Sequence, residues 1–448
     1  VSEAREIATL DWRGRVGEGD LLIRKAHAFD PRTGLDRECD LVVRDGRIAE
    51  IAEAGTGEVP DGGEEIDAAG LHAFPAFFDP HVHLRTPGQE YREDIESGTR
   101  AAAAGGFCGI VAMANTDPVV DDPAIIAALR ERAEAEAVVP TGFVGTVTRG
   151  MDGRELTEMA AIREAGALGF SDDGLPIADA GVLRRALQYQ HLVGGTILLH
   201  EEDPSLTGDG VMGEGAVSAA LGLAGIPDVS EATMIARDGA LCLYEDARAH
   251  VQHLSARASV EAVAVAKEAG ARLTAELTPH HLVLTDEEVR SLDARFKMNP
   301  PLRTEDDRRA LIEALRSGVV DCIGTDHAPH APHEKEVPFE IANMGVTGLE
   351  TAFAALYTEL VLPRVVDLGL IVERMGAGAE LFDLEPATIA PGAAADIALV
   401  DLDAEWEAGA DGWESRSHNS CFAGRRLRSR PVITIVAGTV AYRRREFT

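Results

Sequence analysis

Two histidines one residue apart open the chemical reading of this 448-residue chain: His81 and His83, in the stretch DPHVHLRTPG from Asp79 to Gly88. On a strand, alternate side chains share a face, so both imidazoles would point the same way. Paired imidazoles suit a divalent metal, and Asp79 shares their face, where it can orient a ring from behind. Arg85 has the same parity but lies beyond the histidines, where a guanidinium can grip a carboxylate in two-pronged fashion. An HxH pair is also an ordinary accident in a chain with 14 histidines, and Arg85 is one arginine among many. The stretch acquires chemistry only if other ligand types converge on it.

Several do, each near the end of an apolar run. His200 ends TILLH, His253 ends VQH, Asp172 and Asp173 end GFSDD, and Asp326 sits in GTDHAPH. Singly, each has a plain alternative as a core histidine, a turn aspartate or a helix cap. The strand-like runs are FFDPHVH (77–83), GFCGIVAMANT (106–116), TGFVGTVT (141–148), GALGFSDD (166–173), TILLHEED (196–203), HVQHLS (250–255), RLTAELTPHH (272–281) and VVDCIGTDHAP (319–329). Helical stretches lie between them, including one from Pro123 to about Ala137 behind the cap-like Asp122 and one from Ser259 to Gly270. Eight such units over about 250 residues match an α/β fold of the (β/α)8 TIM-barrel type. Active-site groups in that fold occupy the C-terminal ends of the strands, so these polar clusters would share one mouth. Four imidazoles and at least two carboxylates there suit a pair of divalent ions such as zinc.

The flanks read differently. Residues 1–20 are polar and patternless, as in a loose extension. From Leu21 the pattern is short and β-like: LLIRKAHAFD, then DLVVRDGRIAEIAE with Gly46 at a turn. Segments around 395–403 and from Pro431 look alike, and the two ends are expected to pair. The expected organisation is an N-terminal extension (1–20), a β-sandwich domain built from both termini (21–75 and 386–448), and a barrel between them (76–385).

Composition narrows the partners. The chain has 76 acidic and 42 basic residues, a net charge of −34, which disfavours nucleic acid and anionic membranes. No apolar run is long enough to span a bilayer and no basic-then-apolar leader is present, so a cytoplasmic location is expected. Five scattered cysteines without CxxC spacing fit reduced thiols. Only four residues are lysine, as in a GC-rich genome or a salt-adapted surface.

In unbroken order from about residue 21, DPHVHLRTPG, AMANTDPV, GFSDDG, LLHEED, QHLS, AELTPHHL, KMNPPLR and GTDHAPH resemble the type I, bacterial-style dihydroorotases of the amidohydrolase superfamily. That superfamily often bridges two metals with a carbamylated lysine at the fourth strand, but this chain has no lysine between Lys25 and Lys267. The type I pattern puts an aspartate there, and GFSDDG assigns the bridge to Asp173, with Asp172 as the alternative. The resemblance implies two zinc ions per subunit: His81, His83, Asp173 and Asp326 on the first, His200 and His253 on the second. It makes Asp326 the general base and acid in the interconversion of L-dihydroorotate and N-carbamoyl-L-aspartate. Arg85, Asn115 and His330 would hold the substrate carboxylate, and Asn299 the ring amide. It implies a homodimer and leaves room for association with aspartate transcarbamoylase. His280 and His281 are expected to order the seventh strand end, His333 to sit in a mobile loop, and His330–Gly348 to form a lid. The sequence departs from the family at Ala114, where a proline is usual, and at Ala342, Asn343, Met344 and Gly345. Allantoinase and dihydropyrimidinase (hydantoinase) share the ligands, but Arg85 after HVHL, KMNPPL and the missing lysine argue against them. A non-catalytic paralogue beside the transcarbamoylase would be expected to have lost ligands that are all present here.

Overall fold

A computed structural model describes residues 10–15 and 19–444. The N-terminal segment gives β1 (Leu21–Asp30), β2 (Leu35–Arg44), β3 (Arg47–Glu53), β4 (Glu64–Asp67) and β5 (His72–Pro75). The β2–β3 turn is Asp45-Gly46, both with positive φ (50° and 71°), the backbone a tight two-residue hairpin requires. Eight strands follow in the middle of the chain: β6 (Phe77–Val82), β7 (Phe107–Ala112), β8 (Thr141–Phe143), β9 (Gly169–Ser171), β10 (Thr196–Leu199) and, after a small parallel pair β11 (Met212–Gly213) and β12 (Gly225–Ile226), β13 (Arg248–Val251), β14 (Arg272–Leu277) and β15 (Cys322–Ile323). The C-terminal segment adds β16 (Ile397–Glu407), β17 (Arg426–Val436) and β18 (Thr439–Arg443).

Both ends of the chain pair into one sheet, in the order β18-β17-β16-β5-β1-β2-β3, with β4 also on β1. The contact between the ends is β5 on β16, antiparallel, with Phe74 opposite Ala398. Alternate residues of these strands, such as Ile23, Leu41, Ile397, Leu399 and Ile433, share one core.

The middle strands form two parallel ladders, β6-β7-β8 and β9-β10-β13-β14-β15. Parallel bridges join them at both ends, Gly145 to Phe170 and Val82 to His327, so the pairings close into a ring. Parallel pairing gives all eight strands one polarity, so their C-terminal ends share one side. β6 and β7 are buried along their whole length, as strands covered on both faces are. The helices between carry clear start signals. Asp122 accepts from Ala124 N ahead of the helix Pro123–Glu136, and Thr304 with Asp307 forms a capping box ahead of Glu305–Ser317. No helix among the described residues is long and apolar enough to cross a membrane.

Several expectations shift. The helix expected at Ser259 starts at Arg257, because Asp307 Oδ1 accepts the Arg257 N–H across a helix contact and replaces a local cap. The strands end earlier than their apolar runs, and TPHH belongs to a helical turn (Pro279–Val283) capped by Thr278. The loose extension does not describe residues 10–15: Asp11 exchanges backbone hydrogen bonds with Thr141, and Trp12, 7% exposed, joins the core. The rest of that extension, 1–9 and 16–18, lies outside the described residues. His333 sits not in a free loop but in the helical turn Pro332–Lys335, its ring stacked on Tyr91.

Candidate active site

Each strand that stops early hands its next residues to the mouth of the ring. Three of these, Arg85, His253 and Asp326, have left-handed backbones with φ of 56°, 36° and 46°. Such conformations in non-glycine residues carry strain and concentrate where side chains must be aimed for function.

His81 and His83 have their Nδ1 atoms engaged from behind, 2.6 Å from Glu276 Oε1 and 2.9 Å from Asn115 Oδ1. Both rings therefore turn Nε2 to a common centre. His83 Nε2 lies 3.0 Å from Asp326 Oδ1 and 3.4 Å from Asp173 Oδ2. His81 Nε2 lies 3.5 Å from Asp326 Oδ1 and 3.6 Å from Asp173 Oδ1. His253 Nε2 and His200 Nδ1 approach that same Asp173 oxygen at 3.5 and 3.6 Å, and stand 2.9 Å from each other. The six residues expected to hold metal thus meet in one buried cluster.

Asp173 Oδ1 is buried with no hydrogen-bond partner, although three imidazole nitrogens surround it. A buried carboxylate oxygen so placed is costly without a cation, and mixed imidazole and carboxylate donors suit zinc. Two overlapping sets, His81–His83–Asp326 and His81–Asp173–His253, each have ligand atoms within 4.8 Å of one another. Burial opposes ionisation of Asp326 and Asp173, but the adjoining histidines outweigh it and hold both carboxylates well below the usual range. Burial likewise opposes a charged His81, yet Glu276 and Asp173 raise its pKa.

Asp172 faces elsewhere. Its carboxylate accepts from the Val147 and Thr148 amides and the Thr148 hydroxyl, fixing the loop after β8. Asp79 also differs from expectation. Among the described residues its carboxylate hydrogen-bonds no imidazole; it accepts from Thr325 N, Thr325 Oγ1 and the His81 amide, joining β6 to the chain beyond β15.

A cavity of about 290 Å³ lies elsewhere, at the opposite ends of β10, β13 and β14. The centre opens into a smaller one, about 230 Å³, lined by Arg85, Asn115, Asn299, His330, Met344 and Gly345 among others. Arg85 is 7% exposed, and its Nε donates to Pro329 O at 3.1 Å. No carboxylate lies within ion-pair distance of it among the described residues, and burial, with Arg92 nearby, lowers its pKa to about 10. A buried guanidinium without a counter-ion is a receptor for an anion. β6 stops at Val82, so a left-handed turn aims Arg85 rather than strand parity. Asn115 lines the cavity, but its amide is spent on His83 Nδ1 and Asp173 O. Asn299 Nδ2 donates to Glu202 Oε2 at 2.5 Å. His330 Nε2 donates to Met344 O at 2.8 Å, while Nδ1 is buried without a hydrogen-bond partner. His281 is held by Thr278 Oγ1 and Pro300 O, and His280 by no side-chain bond at Nε2.

The sequence reading missed the supporting layer. Glu276 holds His81 with one oxygen and His250 Nε2 with the other, at 3.1 Å. Glu202 Oε2 lies 3.1 Å from His200 Nε2, which leaves Nδ1 facing the centre. The available signal was an acid inside an otherwise apolar run, LTAEL, but nothing local names its partner.

Comparison with known proteins identifies what the chain as a whole resembles. Residues 71–259 match the family described as Dihydro-orotase-like. Dihydroorotase from Geobacter metallireducens is 42% identical over 426 residues, 95% of this chain and 100% of that protein. Dihydroorotase from Pelobacter propionicus is 44% identical over the same shares. Among solved structures, L-hydantoinase (dihydropyrimidinase) from Arthrobacter aurescens superposes with a TM-score of 0.84 at 25% identity, covering 95% of this chain and 96% of that one. A D-hydantoinase gives 0.81 at 25% identity, covering 95% of each. The solved hydantoinases share the architecture, while sequence identity over nearly the full length is far higher to the dihydroorotases. On that identity, the chain belongs to the dihydroorotase family.

Proposed function

We propose that this protein is a zinc-dependent dihydroorotase, interconverting L-dihydroorotate and N-carbamoyl-L-aspartate in pyrimidine synthesis. The observation that carries the reading is Arg85, a buried cation with no ion-pair partner among the described residues, opening on the same cavity as His83, His200, His253, Asp173 and Asp326. The ring of parallel strands is a (β/α)8 barrel over residues 76–385, and 21–75 with 386–448 form a β-sandwich domain beside it.

His81, His83, Asp173 and Asp326 would hold one zinc ion, and Asp173, His200 and His253 a second. Bound there, zinc supplies Lewis acidity to the scissile carbonyl and lowers the pKa of water. Asp326, kept ionised by its histidine neighbours, takes a proton from the attacking water and returns it to the departing ring nitrogen. Reversing those transfers closes the ring. Arg85 binds the substrate carboxylate, with Asn115 and His330 on the adjoining walls. Asn299, held through one amide N–H by Glu202, lines the same cavity and contacts the ring amide. The enzyme acts as a homodimer and is cytoplasmic, a setting supported by five buried free cysteines. Association with aspartate transcarbamoylase is compatible with the active-site assignment.

The likeness to hydantoinases favours a second reading, a cyclic amidase without a carboxylate on its substrate. Arg85 opposes it, because a substrate lacking an anion would leave the guanidinium buried and unpaired. The deciding experiment is turnover of dihydroorotate, hydantoin and allantoin, with zinc analysis, on wild type and Asp326→Ala. Dihydroorotate is expected to be the substrate, with at least one zinc per chain and a loss of roughly 10³-fold or more in the variant. Turnover of hydantoin or allantoin but not dihydroorotate would overturn the proposal.

A further inference from the structure

Between β16 and β17 the chain leaves the terminal sheet and runs back to the mouth of the ring. Ser417 Oγ donates to Arg92 O at 2.6 Å, Arg416 N donates to Glu93 Oε1 at 3.0 Å, and the Ser415 hydroxyl bonds the same glutamate. These contacts deliver Asn419, 5% exposed, to the back of the substrate cavity. Its Oδ1 accepts from His330 N at 3.1 Å, and its Nδ2 donates to Ala328 O and to Gly345 O, each at 3.1 Å. Ala328, His330 and Gly345 all line the cavity. A primary amide has two N–H donors, and Asn419 spends them on carbonyls from two different loops.

Pro329 lies between the two residues that Asn419 holds on the first loop. Its carbonyl is the acceptor for Arg85 Nε at 3.1 Å. The same side chain thus fixes His330 directly and the guanidinium through one peptide unit. Lys335, 8% exposed, is a second tie: its Nζ donates to Lys297 O, Asn343 O and Gly345 O at 3.1, 2.8 and 2.9 Å. Gly345 cannot be replaced by a larger residue without disturbing this wall. Its φ is +131°, and a Cβ would meet Ala328 Cβ at 2.8 Å and His330 Nε2 at 2.9 Å.

We infer that Asn419, supplied from outside the ring, is a positioning residue for the substrate carboxylate: it sets the wall on which Arg85 and His330 are mounted. The inference rests on the dihydroorotase reading and adds the residue through which the terminal sheet reaches the substrate. Asp326 and the histidines have other supports, among them His83 N bonded to His327 O at 2.9 Å and Thr325 bonded to Asp79. Disturbing Asn419 therefore acts on substrate affinity and leaves the proton transfers in place.

The test is steady-state kinetics on dihydroorotate, with zinc content, for full-length wild type, Asn419→Ala and Asn419→Asp. Asn419→Asp is nearly isosteric and keeps an acceptor for His330 N–H, but sets a carboxylate oxygen against two carbonyls. It serves as the reading if the alanine variant fails to fold. The expected result is a KM raised roughly 10- to 100-fold, kcat within about threefold and zinc content equal to wild type. An unchanged KM, or a fall in kcat at unchanged KM, overturns the inference. Wild type inert towards dihydroorotate would instead remove the reading beneath it, so the two failures are distinct.

Discussion

Glu276 Oε1 lies 2.6 Å from His81 Nδ1, with both residues fully buried. The pair joins β14 to β6, the first strand of the ring, past the single intervening strand β15. It fixes which nitrogen of His81 meets the centre and raises the basicity of the ligand.

Glu276→Gln keeps an oxygen acceptor but removes the charge. The expected outcome is a roughly 10- to 100-fold loss of zinc affinity, read by competition with a chelator. Far-ultraviolet circular dichroism should match wild type. Zinc retention equal to wild type would reduce Glu276 to a packing role.

Arg85→Lys retains charge and loses the planar fork. We expect KM for dihydroorotate to rise roughly 10- to 100-fold with a smaller change in kcat, since the carboxylate is remote from the scissile bond. A lysine that restores wild-type KM would show that charge alone suffices there.

Lys335 gives a pH dependence with a definite sign. Burial, and then Lys297, lower its pKa to about 7, against the ordinary value of 10.5 for a free lysine. Between about pH 7 and pH 10 the unfolded chain holds this proton, while the folded chain releases it and keeps two of the three N–H donors that the carbonyls accept. Stability contributed at this site therefore rises with pH across that window. Denaturant midpoints of wild type and Lys335→Met, measured from pH 6.5 to 9.5, should diverge in favour of wild type as pH increases. Parallel curves would show that the three carbonyls keep Lys335 charged throughout.

How much of this was legible beforehand depends on whether a residue acts locally. The cap at Asp122, the turn at Asp45-Gly46 and the alternation of short strands with helices depend on neighbours a few residues away, and these agree with the structure. The helix at Arg257 begins two residues early because Asp307, 50 residues distant, supplies the cap. Trp12 is packed rather than loose because Asp11 pairs with Thr141, which no local pattern reveals.

The sequence by itself set out the kinds of candidate ligand and their order: imidazoles at 81, 83, 200 and 253, a carboxylate at 172 or 173 and another at 326, and no lysine between Lys25 and Lys267. Side-chain chemistry and strand-end position belong to the local chain, so they could be read there. Only the tertiary structure decided which atoms face the centre. It turned Asp172 to the Thr148 amide and Asp173 to the histidines, set Glu276 behind His81, and brought Asn419 behind Arg85 and His330. Those choices are made by hydrogen bonds between residues far apart in the chain, which exist only once the ring has closed.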